Sequence, residues 1–163
     1  MNIHVPWGHI NVLVIWIVIF SIAYLYFDQH QNPKVAVTKS GKLQGEIFIP
    51  RSIDGHYYVR GSINGHSIDF MVDTGASIVS VSRAFAQKSN LPAGIPANFS
   101  TAGGTVIGEI VSGQTVEVGG IAVNNLNVSV GIHGDTALLG QNFLRRVDVI
   151  QSNDKMILRV RSD

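Results

Sequence analysis

The stretch Ile68 to Val81, reading Ile-Asp-Phe-Met-Val-Asp-Thr-Gly-Ala-Ser-Ile-Val-Ser-Val, constrains the fold more than any other part of the chain. Two runs of apolar and β-branched residues flank a sharp polar turn, Asp73-Thr74-Gly75. Such runs favour strands, and the Asp and Gly between them favour a turn, so the segment reads as strand, loop and strand with one carboxylate presented at the loop. An Asp between strands is ordinarily just a turn former. Here its flanks are unusually hydrophobic for a plain hairpin, which marks the carboxylate as held in place rather than merely solvated.

Of the 163 residues, 45% are hydrophobic and 14% charged, against about 25% charged in typical soluble domains. That deficit points to a membrane segment. The 18-residue run Ile10 to Phe27 has no ionisable group except its tyrosines. At 1.5 Å per residue it spans about 27 Å as a helix, close to the apolar thickness of a bilayer. Trp7, Tyr24 and Tyr26 lie near its ends, where aromatic side chains suit the interfaces, and Trp16 sits mid-span. Met1 to His9 carries no Lys or Arg, and the exit Tyr-Leu-Tyr-Phe-Asp offers no small-residue cleavage site. An uncleaved single-pass anchor in a lipid bilayer is therefore expected rather than a signal peptide. Residues 28–45 are polar, carry Pro33 and Gly41, and read as a tether. The expected organisation is a flank over 1–9, a transmembrane helix over 10–27, the tether over 28–45 and a single domain over 46–163. Lys34, Lys39 and Lys42 lie on the C-terminal side of the anchor, a bias toward a cytoplasmic domain.

From Glu46 onward, short apolar strands alternate with turn signals, an all-β pattern. Tyr57 to Ile63 and Ser67 to Val72 are joined by Asn64-Gly65, which suits a type I′ hairpin. Period-2 alternation then sets Ile68, Phe70 and Val72 on one face and Ser67, Asp69 and Met71 on the other. A short strand is expected over Ile78 to Val81, and Ser82 is placed to cap a brief helix through Lys88. Pro92 and Pro96 are expected to hold a loop open before a hairpin that turns at Gly103-Gly104. Separate strands are expected over Val106 to Val111, Gln114 to Val118, Ile121 to Val123 and Leu126 to Ile132.

The net charge of +1 and the lack of any Lys/Arg cluster argue against a nucleic-acid partner. Without cysteine there is no disulfide framework and no thiol nucleophile. His56, His66 and His133 have no zinc-ligand spacing, and His4, His9 and His30 flank the anchor. No Gly-x-Ser-x-Gly elbow or strand-to-helix phosphate loop occurs, so neither a metal nor a cofactor is expected.

Apolar residues, then Asp73-Thr74-Gly75-Ala76-Ser77, then more apolar residues resemble the active-site loop of aspartic proteases, particularly the retropepsin-like single-domain kind. Ala137-Leu138-Leu139-Gly140 followed by Gln141 to Arg146 is similar to that family's apolar-apolar-Gly segment, which is threaded beside the catalytic loop ahead of a short helix. From about Gly55 to Arg161, the order of hairpin, loop, helix, glycine-tipped hairpin, apolar-apolar-Gly, helix and last strand resembles bacterial membrane-anchored retropepsin-like proteases. The resemblance implies a closed all-β barrel with short helices. It also implies an endopeptidase acting on protein or peptide substrate, with Asp73 catalytic. Thr74 would brace the loop across to a second copy, Gly75 would meet substrate backbone, and Ala76 and Ser77 would complete the loop. Ala102, Gly103, Gly104 and Thr105 would tip a flap, and Leu138, Leu139 and Gly140 would support the loop. Ser77 stands where retroviral enzymes carry a second acid, so substrate contacts are expected to differ. Bacterial relatives can face the periplasm, and both sides of the membrane stay open.

Metal-free peptide hydrolysis by carboxyls needs one acid and one base. No second Asp-Ser/Thr-Gly exists here: Asp54-Gly55 lacks the hydroxyl residue, and Asp135-Thr136 is followed by Ala137. A two-fold homodimer is therefore expected to supply the partner carboxyl, with Met156 to Val160 suited to a sheet between subunits. The rival expectation is a membrane-tethered, non-catalytic binding or scaffold module on the same fold.

Overall fold

A computed structural model describes residues 7–31, 35–36, 45–101 and 103–161. The chain divides into two units, Met1–Pro33 and Lys34–Asp163. The first holds helix α1, Trp7–Gln31, whose stretch Ile10–Asp28 is long and apolar enough to cross a membrane and has none of its residues buried. The helix runs on past Phe27 into residues read as tether, since neither Pro nor Gly interrupts the sequence before Pro33.

In the second unit, Ala36, within the stretch expected as tether, is hydrogen-bonded to the folded domain. Its N–H donates to the Tyr58 carbonyl at 2.9 Å, and its own carbonyl accepts from Arg60 N–H at 3.0 Å. Residues 32–34 and 37–44 of that stretch lie outside the described residues.

The strands are β1 Glu46–Pro50, β2 Tyr58–Ile63, β3 His66–Val72, β4 Val79–Ser82, β5 Ile95–Thr101, β6 Gly104–Val118, β7 Ile121–Ile132, β8 Ala137–Leu139, β9 Val147–Ser152 and β10 Lys155–Val160. Helix α2 is Arg83–Lys88 and α3 is Gln141–Leu144. Strands β2, β3, β8, β4, β7 and β6 form a ring that β6 closes by pairing with β2, with β5 extending beyond β6. A separate three-stranded sheet runs β1-β10-β9. This is the closed barrel expected from the sequence.

Local signals explain much of it. Asn64 and Gly65 take φ of 49° and 82°, as a type I′ turn requires. The hairpin they join buries Ile68, Phe70 and Val72, with Phe70 fully enclosed. Ser82 accepts the Phe85 N–H at 3.2 Å and caps α2.

Two expectations change. Pro96 belongs to β5, opposite Glu109, rather than to an open loop. On an edge strand its missing N–H costs no ladder bond. The expected pairs of shorter strands are the single long strands β6 and β7, bent where their register shifts between Val111 and Val116. Gly113 at φ 79° and Asn125 at φ 58° mark the bend, because closing a small barrel requires long strands to bulge. The buried Gln114 fills this bulge, donating to the Ser112 carbonyl at 2.6 Å and accepting from Asn64 Nδ2 at 2.7 Å.

A pH-sensitive contact fastens the start of β2. The Tyr58 hydroxyl donates to Asp54 Oδ2 at 2.6 Å. That bond holds the Asp54 carboxyl below its usual range. Burial, and then the same bond, pushes the Tyr58 hydroxyl up to about 12. The lowered carboxyl contributes stability above its unfolded value near 3.9 and loses it as pH falls through the folded value. The raised phenol contributes stability below about 10, lost as pH rises toward 12. Tyr58→Phe is expected to return Asp54 toward ordinary carboxylate titration in an NMR pH series; an unmoved Asp54 midpoint would count against the bond.

Candidate active site

The loop bearing Asp73 leaves β3 and enters β4, and β8 is inserted between those two strands. Strand β8 runs parallel to β3, with Val72 beside Leu139, and meets β4 at Ser80 opposite Leu138. Asp73 N–H donates to the Leu139 carbonyl at 3.2 Å. At Gly140 the chain passes so close to Ile78 that any Cβ would overlap the Ile78 carbonyl. Only glycine permits that approach.

Beyond Gly140, two amide residues fasten the loop. Gln141 N–H donates to the Ala76 carbonyl at 2.8 Å and Asn142 N–H to the Ser77 carbonyl at 3.1 Å. The Gln141 side chain donates to the Thr74 carbonyl at 2.9 Å. Asn142 Oδ1 accepts from Val79 N–H at 2.9 Å while its Nδ2 donates to the Asn127 carbonyl at 2.7 Å. The loop is thereby gripped from Thr74 to Val79 by backbone and side chains together. Phe143 and Leu144, buried in the core, fix α3 behind it.

Within the loop, Asp73 is half-buried and its Oδ1 accepts the Gly75 N–H at 2.8 Å. Its Oδ2, and the hydroxyl of the exposed Thr74, have no partner among the described residues. The carboxylate borders a cleft of about 800 Å³. Asp73, Gly75, Ala76, Ser77 and Ile78 line it from the loop, Phe99, Thr101 and Val106 from the β5–β6 hairpin, and Val130 to His133 from β7 and its exit. Ser80 and Ser129, both buried, share a 2.7 Å hydroxyl hydrogen bond in its wall.

The residues singled out from the sequence divide accordingly. Asp73, Gly75, Ala76, Ser77 and Leu138 line the cleft, and Leu139 and Gly140 are buried behind it. Gly103, Gly104 and Thr105 sit exposed at the hairpin tip and do not line it; Ala102 lies outside the described residues. The sequence places Gln141 and Asn142 only in a helix, yet they hold the loop. The available signal was two side-chain amides directly after a glycine, able to donate and accept at once. Asn142→Ala is expected to cost about 1–3 kcal/mol, since the Val79 N–H and Asn127 carbonyl lose their partner; urea denaturation would measure it, and an unchanged midpoint would refute the bracing role.

The family model described as "gag-polyprotein putative aspartyl protease" matches residues 59–146, more than half of the chain and all of the segment that builds the cleft. The chain belongs to the retropepsin-like aspartic protease family. A solved retropepsin-like aspartic protease from Rickettsia conorii is similar at 30% identity and a TM-score of 0.58, covering 71% of this chain and 90% of that one. An uncharacterized protein in the cobV 5' region of Sinorhizobium sp is 30% identical over 125 residues, covering 71% of this chain and 52% of that protein. Uncharacterized protein RP867 of Rickettsia prowazekii is 30% identical over 148 residues, covering 82% of this chain and 64% of that protein. The chain thus spans between half and two thirds of the length of these curated relatives. As a retropepsin-like chain it carries the single Asp-Thr-Gly of its sequence at the border of its cleft.

Proposed function

We propose that this chain is a membrane-anchored aspartic endopeptidase whose catalytic pair of carboxyls is assembled from Asp73 of two copies. The observation that carries the reading is Asp73 itself: one oxygen held by Gly75 N–H, the other unpartnered among the described residues, at the edge of a peptide-sized cleft. Two such carboxyls brought together on a two-fold axis cannot both ionise cheaply and share one proton. The ionised one takes a proton from a water placed between them while the protonated one donates to the scissile carbonyl oxygen, giving a tetrahedral diol. One carboxyl then gives its proton to the leaving nitrogen while the other takes a proton from a diol hydroxyl, so the C–N bond breaks to acid and amine and the pair again holds one proton. Thr74, whose hydroxyl has no partner among the described residues, would bond across to the other loop.

The apolar lining from Ile78, Phe99, Val106, Ile132 and Leu138 suits an extended peptide with hydrophobic side chains at the cut, and the β5–β6 hairpin would act as the flap over it. The exposed apolar run of α1 would anchor the chain in a bilayer, raising the effective concentration for pairing. On this reading residues 10–27 are the anchor, 28–45 the tether and 46–163 the protease domain. Limited proteolysis is expected to leave a core beginning between Gly45 and Tyr57; first cuts inside Tyr57 to Val81 would overturn that boundary.

The functional test is peptide hydrolysis by the full chain in lipid or detergent, from acid to neutral pH, with and without a statine-type transition-state mimic. Turnover blocked by the mimic supports the reading. Turnover insensitive to it, or capture of a partner with no turnover at all, replaces it.

A further inference from the structure

We propose that Ser80 and Ser129 form a selective subsite in the cleft wall, whose buried oxygens take a substrate side chain with a neutral hydrogen-bond donor, a hydroxyl or a carboxamide. This rests on the endopeptidase reading and names a side chain that its cleft selects beside the cut.

The two serines meet because β4 and β7 run parallel with Ser80 in register with Ser129. Alternation along β4 sends Val79 and Val81, both fully buried, into the core and leaves Ser80 on the opposite face, toward the cleft it lines. On β7 the fully buried Val128 precedes Ser129 in the same way. The other uncharged polar side chains of the lining, Ser77, Asn98, Ser100, Thr101 and His133, are exposed, so water satisfies them. Ser80 and Ser129 are only 7% and 5% exposed. Among the described residues they are the two buried polar side chains that line the cleft.

Where their hydrogens go decides what they offer. A hydroxyl has a single hydrogen to donate. Ser80 Oγ lies 3.1 Å from the Ile78 carbonyl, which can only accept, so Ser80 donates there. The 2.7 Å contact between the two hydroxyls therefore has Ser129 donating to Ser80. Both hydrogens are taken inside the wall, and what remains is acceptor capacity. Ser129 Oγ accepts from no group among the described residues, and Ser80 Oγ accepts from Ser129 alone. Donation along such a chain enriches its first oxygen, which makes Ser129 Oγ the stronger acceptor. Leu138, opposite Ser80 on β8, and Ile78 beside it bring no side-chain donor. A substrate side chain that fills this part of the cleft excludes water from the Ser129 oxygen. An apolar one leaves that oxygen dry and unmatched, whereas an O–H or amide N–H restores its bond. A carboxylate only accepts and is opposed, and an ammonium must be desolvated at greater cost. With Asp73 shared as proposed, each copy brings one such pair, so a subsite lies on either side of the cut.

The test uses the full chain in lipid with matched peptides, and matched statine-type mimics, that differ at one position flanking the cut. Thr against Val isolates the hydroxyl, because the two side chains share a shape; Asn against Leu isolates the carboxamide. At a flanking position, the donor-bearing member of at least one pair is expected to bind and be cleaved about tenfold better, the worth of one neutral hydrogen bond. In Ser80→Ala/Ser129→Ala both hydroxyls leave together, so no buried group is stranded and thermal unfolding should match wild type. Its Thr:Val and Asn:Leu ratios should fall to about one or below. Each ratio is taken within one protein, so a change in overall activity or folded fraction cancels. Should the double variant fail to fold, Ser129→Ala, which keeps the Ser80 bond to Ile78, reads the same ratios. Equal treatment of both members of every pair by wild type, or ratios unchanged in a folded variant, overturns the subsite, and cleavage of any of the peptides leaves the endopeptidase reading standing. A chain that neither cuts the peptides nor binds any mimic overturns that reading and the subsite with it.

Discussion

Asp73→Asn is expected to lower kcat/KM by about 10²- to 10⁴-fold, the range of a lost acid–base group, with folding and dimerisation unchanged. The asparagine oxygen can still accept the Gly75 N–H that now meets Oδ1 at 2.8 Å, so the loop has no reason to move. What disappears is the ionisable group and, if the pair is shared as proposed, from both copies at once. The same substitution separates a shared site from a self-sufficient one. With wild type and variant mixed in equal amounts and allowed to exchange, random pairing leaves about one quarter of dimers with both carboxyls, so activity should fall to about a quarter of the all-wild-type value. Independent monomers would retain half. Equal cleavage by both proteins would remove Asp73 from the chemistry. If neither cleaves any peptide and both capture the same partner, the chain is a scaffold on a protease fold.

The second large effect is structural. Gly140→Ala should destabilise the domain by about 3 kcal/mol, at the upper end of overpacking costs. The new Cβ would overlap the Ile78 carbonyl and lie 2.9 Å from the Ile78 nitrogen, all backbone atoms that no rotamer change can move aside. Relief requires β8 to withdraw from β4. That would pull on the Asp73 N–H bond to Leu139 and on the Gln141 and Asn142 bonds to the loop. Turnover should therefore fall further than the loss of folded protein explains. Thermal unfolding together with activity per folded molecule would read both, and an alanine variant of wild-type stability would refute the close approach.

The two predictions rest on features of unequal legibility. The β2–β3 hairpin could be read residue by residue, because Asn64-Gly65 selects the turn and period-2 burial of Ile68, Phe70 and Val72 selects the face. The Ser82 cap and the apolar run of α1 are equally local. Each depends on neighbours a few residues away, and a sequence displays those directly. The strand bends around Gly113 and Asn125 were not legible, since only closure of β6 onto β2 demands them. Nor was the grip of Gln141 on Thr74 or of Asn142 on Val79, which spans 67 and 63 residues. Side-chain amides have no periodicity and declare no partner until the backbone brings one within reach. The same holds for β10, whose composition suits an interface strand but whose two edges are taken by β1 and β9. The sequence by itself determined the β2–β3 hairpin, the Ser82 cap, the apolar run of α1 and the single Asp-Thr-Gly on which the family resemblance rests, because burial patterns, turn chemistry and motifs are written locally. The tertiary structure alone decided which strand edges stay open and what holds the Asp73 loop, because backbone hydrogen bonds are satisfied by spatial neighbours whatever their distance along the chain.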